Sequence, residues 1–231
     1  MSHAPQPVGN VAENFSRRHF IGGSDARIIM GKDEAALLRL WREKRGEAEP
    51  EDLSANLIVQ LGLVTEPLNR TWYERNTGQA VKDVQSRVQH PVNRWMAATL
   101  DGMVEGTGAV FEAKFMLPWS FSEEAAAEKH MAQLQHNMWV TNAKAAVLSI
   151  ITGGGKWVEI SIHADCLYQH LLLTAEKKFW LCGKWRAPSP LWGRATTAAD
   201  RSGAHRRYER IQFLGRIGGG VLPNPRGIPG A

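Results

Sequence analysis

Two apolar segments, residues 96–104 and 109–115, flank a glycine-rich turn and carry charged side chains where a buried strand normally has none. Each segment has the composition of a β-strand, so together they predict a hairpin. Glu112 and Lys114 are two positions apart and therefore point to the same face of the second strand. The turn folds Asp101, in the first segment, back toward that face.

These three charged side chains need a counter-charge if the hairpin is buried, because burying each ion otherwise costs several kcal/mol. Mg²⁺ binds through one or two carboxylates, keeps several waters and takes phosphate oxygens of a substrate. A metal ion and an ammonium group together lower the pKa of a water and stabilise charge that develops on a phosphate. The alternative interpretation is a surface hairpin with a solvated Glu112–Lys114 pair.

An aspartate followed by a strand with a Glu-x-Lys motif resembles the active-site pattern of the PD-(D/E)xK nuclease superfamily. Here the pattern consists of Asp101, ten intervening residues, and then Glu112-Ala113-Lys114. The resemblance implies an α/β fold with a restriction-endonuclease-like core, in which helices flank a mixed β-sheet.

The length and composition of the chain indicate one α/β domain with additional segments. With 231 residues, of which 43% are hydrophobic and 22% charged, the chain is ordinary for a soluble globular protein. No apolar run approaches the ~18 residues of a membrane span, and the N-terminus lacks the apolar core of a signal peptide. We therefore expect a cytoplasmic protein. Cys166 and Cys182 are too few for a disulfide framework or an iron–sulfur cluster.

The basic character of the chain belongs to its C-terminal segment. Residues 193–231 contain seven Arg, two acidic residues, eight Gly and three Pro, which accounts for the whole net charge of +5. We predict a flexible N-terminus over residues 1–17, a folded domain over residues 18–192, and a basic, disordered tail over residues 193–231. The folded domain is then electrically neutral, so any DNA-binding surface requires local clustering of charge.

The segment from Phe20 to Gly31 combines a Gly-Gly-Ser turn with a short predicted helix. We predict that Ser24 caps this helix. A glycine-rich turn at a helix N-terminus presents free N–H groups and a hydroxyl to an anion. The alternative interpretation is an ordinary capped helix without a ligand.

A long helix is predicted from about residue 54 to residue 76, ending at Gly78. Apolar residues recur on it with helical periodicity, and we predict that they face the core. They are Leu57, Ile58, Leu61, Val64, Leu68 and Trp72. Glu66 lies off this stripe and beside Pro67, which is unusual in a purely structural helix. As an isolated residue, Glu66 has the alternative interpretation of a solvated glutamate.

The remaining elements follow from hydrophobic periodicity and turn signals. They are a helix over residues 33–45, a strand over 80–89, a turn over 90–93, a helix over 123–140 capped by Ser122, a strand over 143–152, a Gly-Gly-Gly turn, a strand over 156–162 and a helix over 164–181.

Five segments together resemble the YqaJ-type viral recombinase family, the family of phage lambda exonuclease. The similarity runs in order from Phe20 to about Pro190. The segments are Ile21-Gly22-Gly23-Ser24-Asp25-Ala26, Gly62-Leu63-Val64-Thr65-Glu66-Pro67, Thr99-Leu100-Asp101-Gly102, Phe111-Glu112-Ala113-Lys114, and the helical segment from Met131 to Thr141.

The resemblance implies an enzyme that degrades one strand of duplex DNA from its 5′ end, with Mg²⁺ as cofactor and Mn²⁺ as a substitute. The products are 5′-mononucleotides, and the setting is phage or prophage recombination in the cytoplasm of a bacterial host. The expected partners are double-stranded DNA ends, a single-strand annealing protein, and further copies of the chain in a ring, often a trimer.

The resemblance also implies roles for residues of the metal site. Asp101 and Glu112 bind metal, aided by the backbone carbonyl of Ala113, and Lys114 positions or activates the attacking water. Glu66 completes the metal site from its helix.

Other residues would bind DNA by the same resemblance. Gln133 lines the site and helps hold the attacking water or the scissile phosphate, and Ser24 binds the terminal 5′-phosphate. An arginine that contacts this phosphate has no certain match, so Arg17, Arg18 and Arg27 all remain candidates.

Two other functions remain open. One is a structure-specific or repair endonuclease on the same fold. The other is a DNA-binding recombination scaffold that has lost catalysis, although drift would usually have changed one of the four residues of the set Glu66, Asp101, Glu112 and Lys114.

Overall fold

A five-stranded mixed β-sheet forms the centre of the computed structural model, which describes residues 17–184. The strands of the chain are β1 (Val81–Lys82), β2 (Arg87–Gln89), β3 (Ala97–Thr99), β4 (Gly102–Val104), β5 (Val110–Met116), β6 (Ala145–Thr152) and β7 (Trp157–His163). The order in the five-stranded sheet is β1-β4-β5-β6-β7, with β5 and β6 parallel and the other pairs antiparallel. A separate two-stranded sheet pairs β2 with β3.

Helices cover both faces of the sheet. They are α1 (Gly23–Ile29), α2 (Glu34–Arg45), α3 (Leu57–Thr77), α4 (Glu123–Thr141) and α5 (Cys166–Lys184), with short 3-10 helices at Arg17–His19 and Pro118–Ser120. The α3 helix packs on the face of β5 that bears Phe111, whereas α4 contacts the face that bears Glu112. The fold is therefore the predicted mixed sheet flanked by helices.

The predicted flexible N-terminus lies outside the described residues except for Arg17, and the predicted tail over residues 193–231 lies outside them entirely. Residues 185–192 of the predicted domain also lie outside. Within residues 17–184, no helix combines the length and the apolar character that a membrane span requires.

The predicted strand over residues 80–89 is wrong, because it is two strands that belong to different sheets. Asp83 and Gln85 between them have positive φ angles of 53° and 55°, which an extended strand cannot contain. The predicted strand over residues 96–104 divides in the same way at Leu100 and Asp101. The predicted hairpin consequently consists of β4 and β5 alone, with Gly102 opposite Phe111.

The predicted core stripe of α3 is also wrong. Most of its members are exposed, including Val64 at 76% and Leu68 at 52%. The face that packs on the sheet instead buries Asn69 and Tyr73. Asn69 Nδ2 donates to the carbonyls of Lys114 and Ser149 at 3.2 and 2.8 Å, and the Tyr73 ring packs on Phe111. Hydrogen bonds to β5 and β6 thus determine which face of the helix is buried.

Capping residues explain the helix boundaries. The α3 helix begins at Leu57 rather than residue 54 because Asn56 Oδ1 accepts hydrogen bonds from the N–H groups of Ile58 and Val59. It ends at Gly78, whose φ of 71° favours glycine. Ser122 caps α4 as predicted, accepting from the N–H of Ala125 at 3.1 Å.

Candidate active site

Glu112 is the most deeply buried charged residue of the predicted site, with 1% of its side chain exposed. Its Oε1 accepts hydrogen bonds from the Lys114 ammonium and from Gln133 Nε2, the latter at 2.5 Å. Its Oε2 accepts from Asn137 Nδ2 at 3.2 Å. Strand β5 therefore supplies the carboxylate, and helix α4 supplies two amide donors that fix its orientation.

Burial raises the pKa of Glu112 to about 7, because desolvation disfavours its charged form. The Lys114 ammonium opposes this shift, whereas the nearby Asp101 carboxylate adds to it. The protein alone thus supplies too little positive charge to keep Glu112 fully ionised at neutral pH, and a bound cation would restore its ionisation.

Asp101 lies at the start of β4 and reaches the adjacent strand. Its Oδ2 accepts a hydrogen bond from the backbone N–H of Ala113 at 2.9 Å. Burial raises its pKa, and the Lys114 ammonium partly offsets that effect. The antiparallel register of β4 and β5 therefore brings Asp101 beside Glu112 and Lys114, as the sequence predicted.

Lys114 keeps its proton in this environment. Burial by itself would lower the pKa of its ammonium, but the carboxylates of Glu112 and Asp101 outweigh that effect and the net pKa is raised. A quarter of its side chain remains exposed. Lys114 is therefore a fixed positive charge at the edge of the buried site, a state suited to stabilising negative charge rather than to accepting a proton.

Glu66 extends from α3 toward the same region, but it does not join the Asp101–Glu112 pair closely. Its Oε1 accepts a hydrogen bond from Gln85 Nε2 at 2.6 Å. Burial raises its pKa, and the Asp101 charge raises it further. Among residues 17–184, no group of three or more His, Cys, Asp or Glu side chains is arranged to hold a metal ion.

The donors that do converge fit a hard divalent cation. Asp101 and Glu112 supply carboxylate oxygens, and the backbone of Ala113 between Glu112 and Lys114 contacts Asp101 through its N–H. Mg²⁺ is typically held by only one or two carboxylates and retains several waters. The raised pKa values of both carboxyl groups indicate a lack of positive charge at this position. The residues present therefore suit Mg²⁺ or a similar ion.

Helix α1 packs directly against the amide donors of α4. A Cβ atom at Gly23 would lie 2.4 Å from Asn137 Oδ1 and 3.0 Å from Gln133 Cγ, so any side chain there would displace these two residues. The cap of α1 is Gly22, whose N–H donates to Asp25 Oδ2 at 2.8 Å, and the predicted capping role of Ser24 is therefore wrong. Ser24 lies in the first turn with its side chain exposed.

Arg27, on the exposed side of α1, lies near Lys114 and His130. Its positive charge acts on both Lys114 and His130. Burial is the main cause that lowers the pKa of His130 to about 3, followed by the charges of Lys114 and Arg27. His130 is consequently neutral beside Gln133 at any working pH.

Arg17 forms hydrogen bonds with both Ser24 and Asp25. Its Nη2 donates to Ser24 Oγ at 3.0 Å and to Asp25 Oδ1 at 3.1 Å. Arg17, Ser24 and Arg27 line a surface cavity of about 560 Å³ between α1 and α2. Arg18 lines the same cavity, so the structure groups all three arginine candidates with the predicted phosphate-binding serine.

Sequence reasoning missed Asn137 and Asn69. Asn137 lies four residues after Gln133, so the two share a helix face, and that spacing was the available signal. Asn69 had no comparable signal, because both carbonyls that it contacts belong to distant strands.

Two solved structures that share this fold are named as exonucleases. An alkaline exonuclease (LHK-Exo) from Laribacter hongkongensis superposes with a TM-score of 0.61 at 18% identity, covering 87% of this chain and all of that one. A phage-related exonuclease from Haemophilus somnus 129PT superposes with a TM-score of 0.52 at 16% identity, covering 86% of this chain and 96% of that one.

Residues 15–144, more than half of the chain, match the YqaJ-like viral recombinase domain, and the chain belongs to that family. It is also 29% identical over 205 residues to the uncharacterized protein YqaJ of Bacillus subtilis (strain 168). That match covers 86% of this chain and 62% of the Bacillus protein. The chain therefore spans less than two thirds of the length of that relative.

Proposed function

We propose that this protein is a Mg²⁺-dependent exonuclease that degrades one strand of duplex DNA in the 5′→3′ direction and releases 5′-mononucleotides. The observation that carries the proposal is the buried Glu112 carboxylate, held by Lys114 and two amides beside Asp101. Family membership supports it, as do the structural neighbours, which are named as exonucleases.

Asp101, Glu112 and the Ala113 carbonyl hold the metal ion, and Glu66 contributes from α3. When bound, Mg²⁺ polarises the phosphate and lowers the pKa of a water. Mn²⁺ would substitute for it, since it prefers similar oxygen ligands.

Other residues of the site stabilise charge and orient groups around the scissile phosphate. Lys114 keeps its proton and places a positive charge where the phosphate gains negative charge during hydrolysis. Gln133 and Asn137 hold the Glu112 carboxylate in one orientation, and Gln133 also lines the space for the attacking water or the phosphate. Neutral amides suit this position because they orient groups without adding charge.

The terminal 5′-phosphate binds in the cavity beside α1. Ser24 and Arg17 line this cavity and are hydrogen-bonded to each other, and Arg27 also lines it and lies near enough for its charge to act on Lys114. Of the three arginine candidates, Arg17 has the strongest support because it already donates a hydrogen bond to Ser24. A guanidinium paired with a hydroxyl is well suited to phosphate oxygens.

The proposal extends to the setting of the reaction. We propose that the protein acts on DNA ends in the cytoplasm of a bacterial host during phage or prophage recombination. It would act as a ring of identical subunits, with the trimer of its relatives as the expected size, and together with a single-strand annealing protein. These features rest on the family alone.

Digestion of a linear duplex tests the proposal. One 5′ end is phosphorylated and its strand labelled, and the reaction is run with Mg²⁺ or with EDTA beside a closed circular duplex. We expect Mg²⁺-dependent conversion of the phosphorylated strand into mononucleotides, with the circle intact. Nicking of the circle would instead indicate an endonuclease, and no cleavage of either substrate would indicate a DNA-binding scaffold.

A further inference from the structure

Lys44, on α2, has a buried ammonium group. Only 6% of its side chain is exposed. Its Nζ donates to the carbonyls of Arg17 and Phe20, each at 2.7 Å, and to Asp25 Oδ2 at 2.6 Å. Three acceptors require three N–H donors, so the group is an ammonium with every donor used.

These contacts fix the backbone from which Arg17 projects. Arg17 begins the 3-10 helix Arg17–His19, and Phe20 follows it directly. Lys44 thus holds both ends of this turn. A buried cation held by two carbonyls and a carboxylate is costly to displace, because each lost contact would leave a desolvated polar group.

Asp25 fixes the side chains of Arg17 and Lys44, as Lys44 fixes the backbone of Arg17 and Phe20. Its carboxylate is 2% exposed and accepts from Arg17 Nη2 at 3.1 Å, from the N–H of Gly22 at 2.8 Å and from Lys44. The aspartate therefore holds the Arg17 guanidinium, the cap of α1 and Lys44 in one rigid unit. Ser24, next in the chain to Asp25, is placed by the same unit.

Charge balance within this unit leaves Arg17 available for an anion. The Lys44 ammonium neutralises the Asp25 carboxylate, so the guanidinium keeps a net positive charge. Arg17 is 64% exposed at its side chain, and only its Nη2 has a partner among the described residues. Without Lys44, Arg17, which already contacts Asp25 at 3.1 Å, would be the remaining cation beside this carboxylate, and its charge would be neutralised there.

We propose that Lys44 and Asp25 are positioning residues that set the preference of the enzyme for a 5′-phosphorylated DNA end. They do so by holding Arg17 and Ser24 in a geometry that matches a terminal phosphate. This inference rests on the proposed function, and specifically on recognition of the 5′-phosphate in the cavity beside α1.

The test compares the first cleavage on two duplexes that differ only in a 5′-phosphate or a 5′-hydroxyl at the labelled end. Single-turnover rates are measured with Mg²⁺ for the wild type, Lys44→Met and Asp25→Asn. Arg42→Met is the matched control, because Arg42 is an exposed cation on the same helix and lines no part of the cavity. Circular dichroism checks that each variant is folded.

We compare the cleavage rate on the 5′-phosphorylated duplex with the rate on the 5′-hydroxyl duplex. We expect the ratio of these two rates to fall by about 10-fold or more in Lys44→Met and Asp25→Asn, the scale of mispositioning a binding group. Arg42→Met should keep the wild-type ratio. A purely structural role would lower both rates together and leave the ratio unchanged, and that result would overturn the inference.

One further variant and the wild-type result keep the outcome decisive. If Lys44→Met does not fold, Lys44→Gln retains donors for the two carbonyls while removing the charge, and it should also lose the preference. If the wild type itself cleaves both ends equally, the proposed phosphate recognition fails, and the inference fails with it. If the wild type prefers the 5′-phosphorylated end and folded Lys44→Met and Asp25→Asn keep that preference, the inference is overturned while the proposed phosphate recognition stands.

Discussion

Gly23 and Asn137 approach each other so closely that a Cβ atom on Gly23 would lie 2.4 Å from Asn137 Oδ1. This contact joins the first turn of α1 to the C-terminal part of α4. Asn137 in turn donates to Glu112, so this contact links α1 to the buried Glu112 carboxylate. The glycine-rich segment therefore contacts the proposed active site through packing, apart from any ligand that it binds.

Replacement of Gly23 tests this connection. We expect Gly23→Ala to displace Asn137 and Gln133 and to lower Mg²⁺-dependent hydrolysis by about 10-fold or more, since small misplacements in a catalytic site are costly. Gly22→Ala is the matched control, because a Cβ there would meet no atom closer than 3.6 Å. Equal rates for the two variants would show that the contact does not matter for catalysis.

The charge of Lys114 can be removed with little change of shape. We expect Lys114→Met to lower turnover by at least ~10²-fold, the scale of losing one preorganised electrostatic group. DNA binding and the circular dichroism spectrum should stay near those of the wild type. Lys82→Met, which removes an exposed lysine from β1, serves as the control. Turnover of Lys114→Met within a few-fold of the control would contradict the role of Lys114.

The two faces of α3 should differ sharply in their contribution to stability. We expect Tyr73→Ala to cost about 3–5 kcal/mol of unfolding free energy, because the ring is buried against Phe111. Leu68→Ser, on the exposed face, should change it by no more than about 0.5 kcal/mol. Denaturant unfolding measures both values. A large loss for Leu68→Ser would mean that another part of the chain or a second molecule covers this face.

Strand β5, which bears Glu112 and Lys114, was predictable because its signal is local. The two-residue repeat of a strand places Glu112 and Lys114 on one face whatever surrounds them, and the turn after β4 carries its own glycines. The buried face of α3 was not predictable, because Asn69 is buried by hydrogen bonds to strands that lie 45 and 80 residues away.

Two other features escaped prediction for related reasons. The break between β1 and β2 occurs at Asp83 and Gln85, which adopt left-handed conformations without a glycine to signal them. The link from Lys44 to Arg17 spans 27 residues and involves a backbone carbonyl, which every residue possesses. Periodicity reports on a single element, whereas these contacts depend on how separate elements meet.

The raised pKa of Glu112 predicts an unusual dependence of stability on pH in the metal-free protein. Its folded-state pKa of about 7 lies above the ordinary value of 4.5, so the native state binds more protons than the unfolded state between these two values. The stability that this carboxyl contributes is therefore fully present below about pH 4.5 and is lost as the pH rises through about 7. The loss amounts to up to about 3 kcal/mol, at 1.36 kcal/mol per pKa unit.

Thermal unfolding in EDTA at pH 5 and pH 8 measures this effect when the wild type is compared with Glu112→Gln. The glutamine cannot ionise, so we expect the variant to gain stability relative to the wild type at pH 8 but not at pH 5. Mg²⁺ should then stabilise the wild type at pH 8 and leave Glu112→Gln nearly unchanged, because a bound cation compensates the ionised carboxylate. The same difference between the two proteins at both pH values would show that Glu112 does not titrate in this range, and Mg²⁺ stabilisation of both would place the metal away from Glu112.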